Sequence, residues 1–233
     1  MFEASGIVRD ALIAEGYDAV SIDLRPTEQP GPHIVGNVFD HLERGWIGAI
    51  VHPDCTYLCS SGLHWNHRVP GRVMMTARAL HHVRQLMACT IPVWAIENPR
   101  GCIGSKIRKA DCVAQPYQFG DDASKETFFW TKGLPALVPT HRVPGRMVKN
   151  PRTGKVVERW SNQTDSGQNK LAPSADRWSE RSRTYPGIAK AIALQWGAAL
   201  SGEIAIRDLF DLGAVSCPTA PHLAVADRNW FVR

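Results

Sequence analysis

Pro92-Val93-Trp94-Ala95-Ile96-Glu97-Asn98-Pro99 is a short apolar run that stops at a carboxylate, an amide and a proline. A run of this length without polar alternation predicts a strand covered on both faces, and the polar stop marks its carboxyl end. The stretch Trp46-Ile47-Gly48-Ala49-Ile50-Val51 has the same form and ends in His52-Pro53-Asp54-Cys55. A third, alternating stretch, residues 17–24, stops at Arg25-Pro26 and puts Asp23 at its carboxyl end. Helical spacing fills the intervals: Ile7, Val8, Ala11, Leu12 and Ala14 recur before a stop at Gly16, and residues 73–89 form an amphipathic period. A short strand at 33–38, a helix near 39–44 and a small-residue helix over 186–200 complete the pattern. The alternation predicts an α/β fold, a Rossmann-like parallel sheet flanked by helices, in which ligands bind beyond the carboxyl ends of the strands. Asp23, Cys55 and Glu97 are therefore expected on one edge. Such a sheet usually opens with a strand, whereas here the glycine turn and helix begin at once; either that strand is missing or residues 1–4 supply a stub of it.

The 233 residues, 44% hydrophobic and 21% charged, suffice for one ordinary α/β domain with a small appendage and exclude a disordered polyelectrolyte. No window approaches the roughly 18 uninterrupted apolar residues of a membrane span, so no membrane partner is expected. Met1-Phe2-Glu3-Ala4-Ser5-Gly6 lacks the basic and apolar character of an export signal, which predicts a cytoplasmic location. In that reducing compartment Cys55, Cys59, Cys89, Cys102, Cys112 and Cys217 read as buried or reactive thiols rather than disulfides.

The net charge of +5 is concentrated in one place. Residues 141–183 hold ten Lys or Arg against four acids, a local +6, which leaves −1 for the remainder. The segment is rich in Pro, Gly, Asn, Gln and Ser, shows no sustained period, and has Trp160 and Trp178 as its large aromatics. It reads as a long basic loop, either a solvated excursion or a clamp that neutralises nucleic-acid phosphates and stacks an aromatic. The chain then divides into a core at 1–140, a basic loop insertion at 141–183, and a closing helix with its tail at 184–233.

The motifs form an ordered series. Phe2-Glu3-Ala4-Ser5-Gly6 precedes the first helix, Asp23 ends a strand, His52-Pro53-Asp54-Cys55 ends another, Glu97-Asn98-Pro99 follows, and Tyr185-Pro186-Gly187-Ile188 opens the last helix. This series resembles the DNA cytosine-5 methyltransferases, most closely the short, often phage-encoded proteins that look like reduced members of that family. The resemblance implies the S-adenosylmethionine-dependent methyltransferase fold, with the basic loop replacing a full target-recognition domain. It implies S-adenosylmethionine as cofactor, held by Phe2, Ser5, Gly6, Asp23, Asn37 and Pro53. It assigns catalysis to Cys55, Glu97 and Asn98, and DNA as partner to Ser60, Ser61, Arg152, Lys155, Arg159, Arg181 and Arg183; a bacterial host's cytoplasm would be the setting. Some positions depart from the family: Asp54 stands for its second proline, Thr56 for its glutamine, and Asn37 for its aspartate.

The implied chemistry explains the residue types. Cytosine carbon 5 is a poor nucleophile, and adding a thiolate at carbon 6 turns the ring into an enamine that can attack a methyl sulfonium. Cys55 would be that thiolate, and an ordinary thiol near pKa 8.5 is mostly protonated at neutral pH, so the site must favour the anion or deprotonate it on attack. Glu97 would hold ring nitrogen 3 and the exocyclic amine, a role suited to a carboxyl raised by burial. The target carbon is hidden in a duplex, so the base must be flipped out.

Other readings of the same residues remain. Cys55, Cys59, His64 and His67 have spacings seen in zinc sites, but Pro53 and Ser60-Ser61 suit a substrate loop equally well, and no metal is expected. His81 and His82 are adjacent and face different sides of a helix, while Phe128-Phe129-Trp130 reads as core. The Cys55 and Glu97 pair could instead modify another pyrimidine base or a nucleotide. A catalytically silent phage DNA-binding relative would keep the basic loop and lose the chemistry.

Overall fold

The structure, a computed structural model, describes residues 1–174 and 177–202; Asp176, Cys217 and the tail at 203–233 lie outside the described residues, as does the Trp178 side chain. In chain order the elements are α1 (Ile7–Ala14), β1 (Ser21–Asp23), β2 (His33–Val35), β3 (Gly48–Val51), α2 (Ser60–Leu63), α3 (Arg72–Met87), β4 (Val93–Pro99), α4 (Ile103–Lys106), β5 (Cys112–Ala114), β6 (Thr127–Lys132), β7 (Arg146–Lys149), β8 (Val156–Arg159), α5 (Arg177–Ser182) and α6 (Pro186–Leu200). The helix near 39–44 is a short 3-10 turn, Val38–His41, capped by the Asn37 side chain. No described helix is long and apolar enough to cross a membrane.

The core is a mixed sheet between helices. Strands β3 and β4 run parallel, β4 pairs antiparallel with β6, and β6 pairs antiparallel with β5. Strands β1 and β2 form a separate parallel pair. Residues 1–3 join the two sets: the Met1 ammonium donates to the Ile50 carbonyl at 2.7 Å, His52 N–H donates to the Met1 carbonyl at 3.0 Å, and Glu3 N–H donates to the Ile22 carbonyl at 3.1 Å. The stub thus completes the order β2, β1, residues 1–3, β3, β4, β6, β5. The expectation of an all-parallel sheet is corrected at β6, whose reversal follows from the short return through β5 rather than a full helical crossover.

Each central strand splits its side chains between two apolar layers, as the two-residue period of a strand requires. Ile50, Val93, Ala95 and Phe129 face α1 and α6, with Val8, Leu12, Ile192 and Trp196. Ala49, Val51, Trp94, Ile96 and Trp130 face α3, with Leu80, Val83 and Leu86. Small residues let α6 lie close to its neighbours. A Cβ on Gly48 would stand 2.5 Å from the Leu200 carbonyl, and one on Gly197 would collide with the Tyr17 ring.

The basic segment is not a featureless loop. Strands β7 and β8 make an antiparallel hairpin with Arg146 opposite Arg159 and Lys149 opposite Val156, and α5 follows. Among the described residues the hairpin pairs only with itself, and it buries little, so no apolar alternation marks it in the sequence. Its turn uses Asn150, whose carboxamide oxygen accepts from Arg152 and Thr153 N–H groups, and Gly154 at φ +70°. Trp160 is also corrected as a base-stacking aromatic. It is buried, its ring stacks on Tyr117 at 3.9 Å between centroids, and its indole N–H donates to the Val143 carbonyl.

Candidate active site

The carboxyl ends of residues 1–3, β1, β3 and β4 open on a cavity of about 800 Å³ that Phe2, Ser5, Asp23, Pro53, Cys55, Glu97 and Asn98 all line. The volume lies within the usual span for small-molecule sites. Seven of the sequence-derived residues therefore meet in one place. Ser60, Ser61, Arg181 and Arg183 lie on the same cavity. Gly6, Asn37, Arg152, Lys155 and Arg159 do not line it.

On one side, Phe2 has φ +55°, a conformation that costs energy for an aromatic residue, and its ring meets Phe39 edge to face at 5.9 Å. Glu3 uses one carboxylate oxygen to accept from Val8 N–H at 2.7 Å and from the Ser5 hydroxyl at 3.2 Å, so it caps α1 where Gly6 has no side chain to do so. Gly6 itself sits at φ +74° above the Arg9 guanidinium, which a Cβ would strike. Its contribution is the turn. Asp23 accepts from the Arg25 backbone N–H at 2.9 Å and from Arg25 Nε at 3.4 Å through one oxygen, with the carboxylate still on the cavity wall. Asn37 is spent on the 3-10 turn, accepting from Phe39 N–H.

On the other side, the pairing of β3 with β4 sets Val51 beside Ile96, which brings the next residues, His52 and Glu97, together. His52 Nδ1 lies 3.1 Å from Glu97 Oε2, both largely buried. One step further, Asn98 Nδ2 donates to the Pro53 carbonyl at 2.8 Å and pins the loop that carries Cys55. The Asn98 carboxamide oxygen and His52 Nε2 are buried with no hydrogen-bond partner among the described residues. Burial is the largest influence on Glu97 and pushes its carboxyl up, but the His52 hydrogen bond and the charges of Lys125 and His52 hold it below the usual range. The expected burial-raised carboxyl is thereby corrected: at rest Glu97 is an anion and an acceptor.

Cys55 and Cys59 bracket a single turn in which Cys59 N–H donates to the Cys55 carbonyl at 2.9 Å. Their thiols lie close enough for each to set the charge of the other. The Cys59 thiol, burial, and the charges of Cys59, Asp54 and Glu97 push Cys55 well above the ordinary thiol range. The Cys55 thiol in turn favours the anion on Cys59 and, against burial, draws it down to about 5 with help from the Ser61 hydroxyl, the Gly62 N–H and the Arg181 charge. The surroundings therefore favour the negative charge of the pair on Cys59. Asp54 spends one oxygen on the Thr56 backbone and hydroxyl, at 2.9 and 2.6 Å, so it acts on Cys55 through charge alone.

The serines serve this loop. Ser61 Oγ lies 3.2 Å from Cys59 Sγ, and Ser60 Oγ donates to the Arg100 carbonyl at 3.1 Å. Arg183 pairs with Glu28 at 2.7 Å across the cavity mouth. Arg152 and Lys155 stand in and beside the hairpin turn, and Arg159 is turned onto the Glu158 and Asp165 carbonyls. Among the described residues, no group of three or more His, Cys, Asp or Glu is arranged to hold a metal ion. Sequence reading missed His52, Lys125 and the ionisable role of Cys59. The His52 signal was present, since aligning the two strand ends puts His52 beside Glu97 and Pro53 beside Asn98. Compared with family models, curated proteins and solved structures, the chain matches none.

Proposed function

We propose that this chain is a DNA cytosine-5 methyltransferase-like enzyme, moving a methyl group from S-adenosylmethionine to cytosine through a covalent adduct on Cys55. The observation that carries the reading is the continuity of one cavity: Phe2, Ser5 and Asp23 on one wall, Cys55, Glu97 and Asn98 on the other. Strand order supports it. Counting residues 1–3 as the first strand, the order begins third, second, first, fourth, fifth, as in doubly wound nucleotide-binding sheets. In such sheets the ligand crevice lies where the order reverses, here between residues 1–3 and β3, and this is where the cavity opens.

The donor set fits the cofactor. Asp23 offers a carboxylate to vicinal ribose hydroxyls, Phe2 offers an aromatic edge, and the neighbouring Glu3 suits a cationic ligand. S-adenosylmethionine, when bound, supplies an electrophilic methyl group on a sulfonium. The protein's part is to prepare the base. Cys55 adds its sulfur to carbon 6, and the thiol proton passes to the neighbouring Cys59, so the carboxylates around Cys55 need not face a second free anion. Glu97 accepts from the exocyclic amine, while a protonated His52 holds its other oxygen and supplies, through that carboxylate, the proton that ring nitrogen 3 takes up as it gains basicity. Asn98 is a positioning residue that fixes Pro53. Arg181 and Arg183 on the cavity wall suit the phosphates beside a flipped nucleotide.

Calorimetric titration of the full chain with S-adenosylmethionine tests the reading. Saturable binding is expected, weakened at least about tenfold by Asp23→Ala, which removes charge-assisted hydrogen bonds. Absence of binding, together with no methyl transfer to cytosine-containing DNA, would overturn it.

A further inference from the structure

We infer that Cys55 and Cys59 form a modification site of their own, a dithiol that hydrogen peroxide converts into an intrachain disulfide. The inference goes beyond methyl transfer and is read without it. Geometry carries it. The two residues close one turn through the Cys59 N–H to Cys55 carbonyl bond, the span over which Cα atoms come within disulfide reach. Both line the cavity, which a molecule as small as peroxide enters. Both are free in the structure.

The surroundings differ in sign. Asp54 and Glu97 stand by Cys55, whereas the Ser61 hydroxyl, the Gly62 N–H and the Arg181 charge stand by Cys59. Cys59 is therefore the attacking sulfur and Cys55 the resolving one. The Cys59 thiolate attacks one peroxide oxygen, the O–O bond breaks, and the departing hydroxide takes a proton to become water. Cys59 is left as a sulfenic acid. The Cys55 sulfur then attacks the Cys59 sulfur, the S–O bond breaks, and hydroxide leaves as water with the Cys55 proton. Two thiols lose two electrons and two protons, and one peroxide becomes two waters. The disulfide ties up the Cys55 sulfur, so the oxidised protein can make no adduct through it.

The full chain treated with equimolar hydrogen peroxide, then iodoacetamide and trypsin, gives the test. Cleavage after Arg44 and Arg68 leaves Cys55 and Cys59 as the cysteines of one peptide, residues 45–68. Its expected mass is lower by two hydrogens and without alkylation, and dithiothreitol restores both thiols. Cys55→Ser is expected to stop at a sulfenic acid on Cys59 that dimedone captures. Cys59→Ser is expected to slow peroxide consumption by about 30-fold at pH 7, the ratio between a full thiolate and an ordinary thiol. Oxidation of Cys55 in Cys59→Ser as fast as in wild type, or an alkylatable wild-type peptide after peroxide, would overturn the proposal. Loss of methyl transfer with normal disulfide formation would instead overturn the function proposed above and leave this site standing.

Discussion

His52 and Glu97 face each other at 3.1 Å because β3 and β4 end in register, one residue beyond the Val51 and Ile96 pair. The contact joins two strands that approach from different parts of the chain, and it decides the charge state of the carboxylate in the cavity.

Removing His52 should leave a buried anion with, among the described residues, only the Lys125 charge to oppose its desolvation. His52→Ala is expected to cost about 3 kcal/mol in urea unfolding at pH 7, and Glu97→Gln in that background should recover most of it. The pH dependence has a defined sign. Glu97 is held below its unfolded value, so its contribution is complete above the ordinary glutamate pKa of about 4.3 and is lost as pH falls through the lower folded value. Stability curves of wild type and Glu97→Gln should therefore converge on acidification; parallel curves would contradict the pairing.

The thiol pair should reveal its charge by alkylation. With Cys59 near 5, iodoacetamide at pH 6 is expected to label Cys59 before Cys55, Cys89, Cys102 or Cys112, the last three being pushed up chiefly by burial. Peptide mapping gives the order directly. First labelling at Cys55 would reverse the assignment.

DNA carrying 5-fluorocytosine should trap a covalent complex, since fluorine cannot leave as a proton does. Cys55→Ser is expected to abolish it on a denaturing gel. Cys59→Ser should still trap, but at least about tenfold more slowly, because a hydroxyl is a far weaker proton acceptor than a thiolate. Equal trapping in the two variants would reject Cys55 as nucleophile.

The hairpin charges lie apart from the cavity, so their effect on DNA should be purely electrostatic. Replacing Arg152, Lys155 and Arg159 with alanine is expected to reduce the slope of log affinity against log salt by up to about 3, equally for all sequences. S-adenosylmethionine affinity should not move. An unchanged slope would leave the hairpin as solvated surface.

What the sequence disclosed followed its apolar runs. Ile96 and Val51 end buried strands, and the polar residues after them were placed on one edge because strand ends share a side. The reversal of β6 was hidden because Phe128-Phe129-Trp130 has the same composition whichever way a covered strand runs. The hairpin was hidden for the opposite reason: Arg146 and Met147 are exposed, so no inward face writes itself into the pattern. Cys59 looked like a bystander because its charge depends first on the Cys55 thiol and then on Ser61, Gly62 and Arg181, and only folding brings Arg181 near.

The packing of α1 against α6 sets a schedule for the chain as it is made. Val8 and Leu12 leave the ribosome well before Ile192 and Trp196, which share their apolar layer and are added almost two hundred residues later. Until then one face of the sheet has no lid. Contacts of such long range are slow to form and leave greasy surface on view, so synthesis rate and chaperone supply should govern yield more strongly than final stability does. A nascent chain halted before Pro186 would carry every residue assigned to chemistry and still be unable to hold them in place.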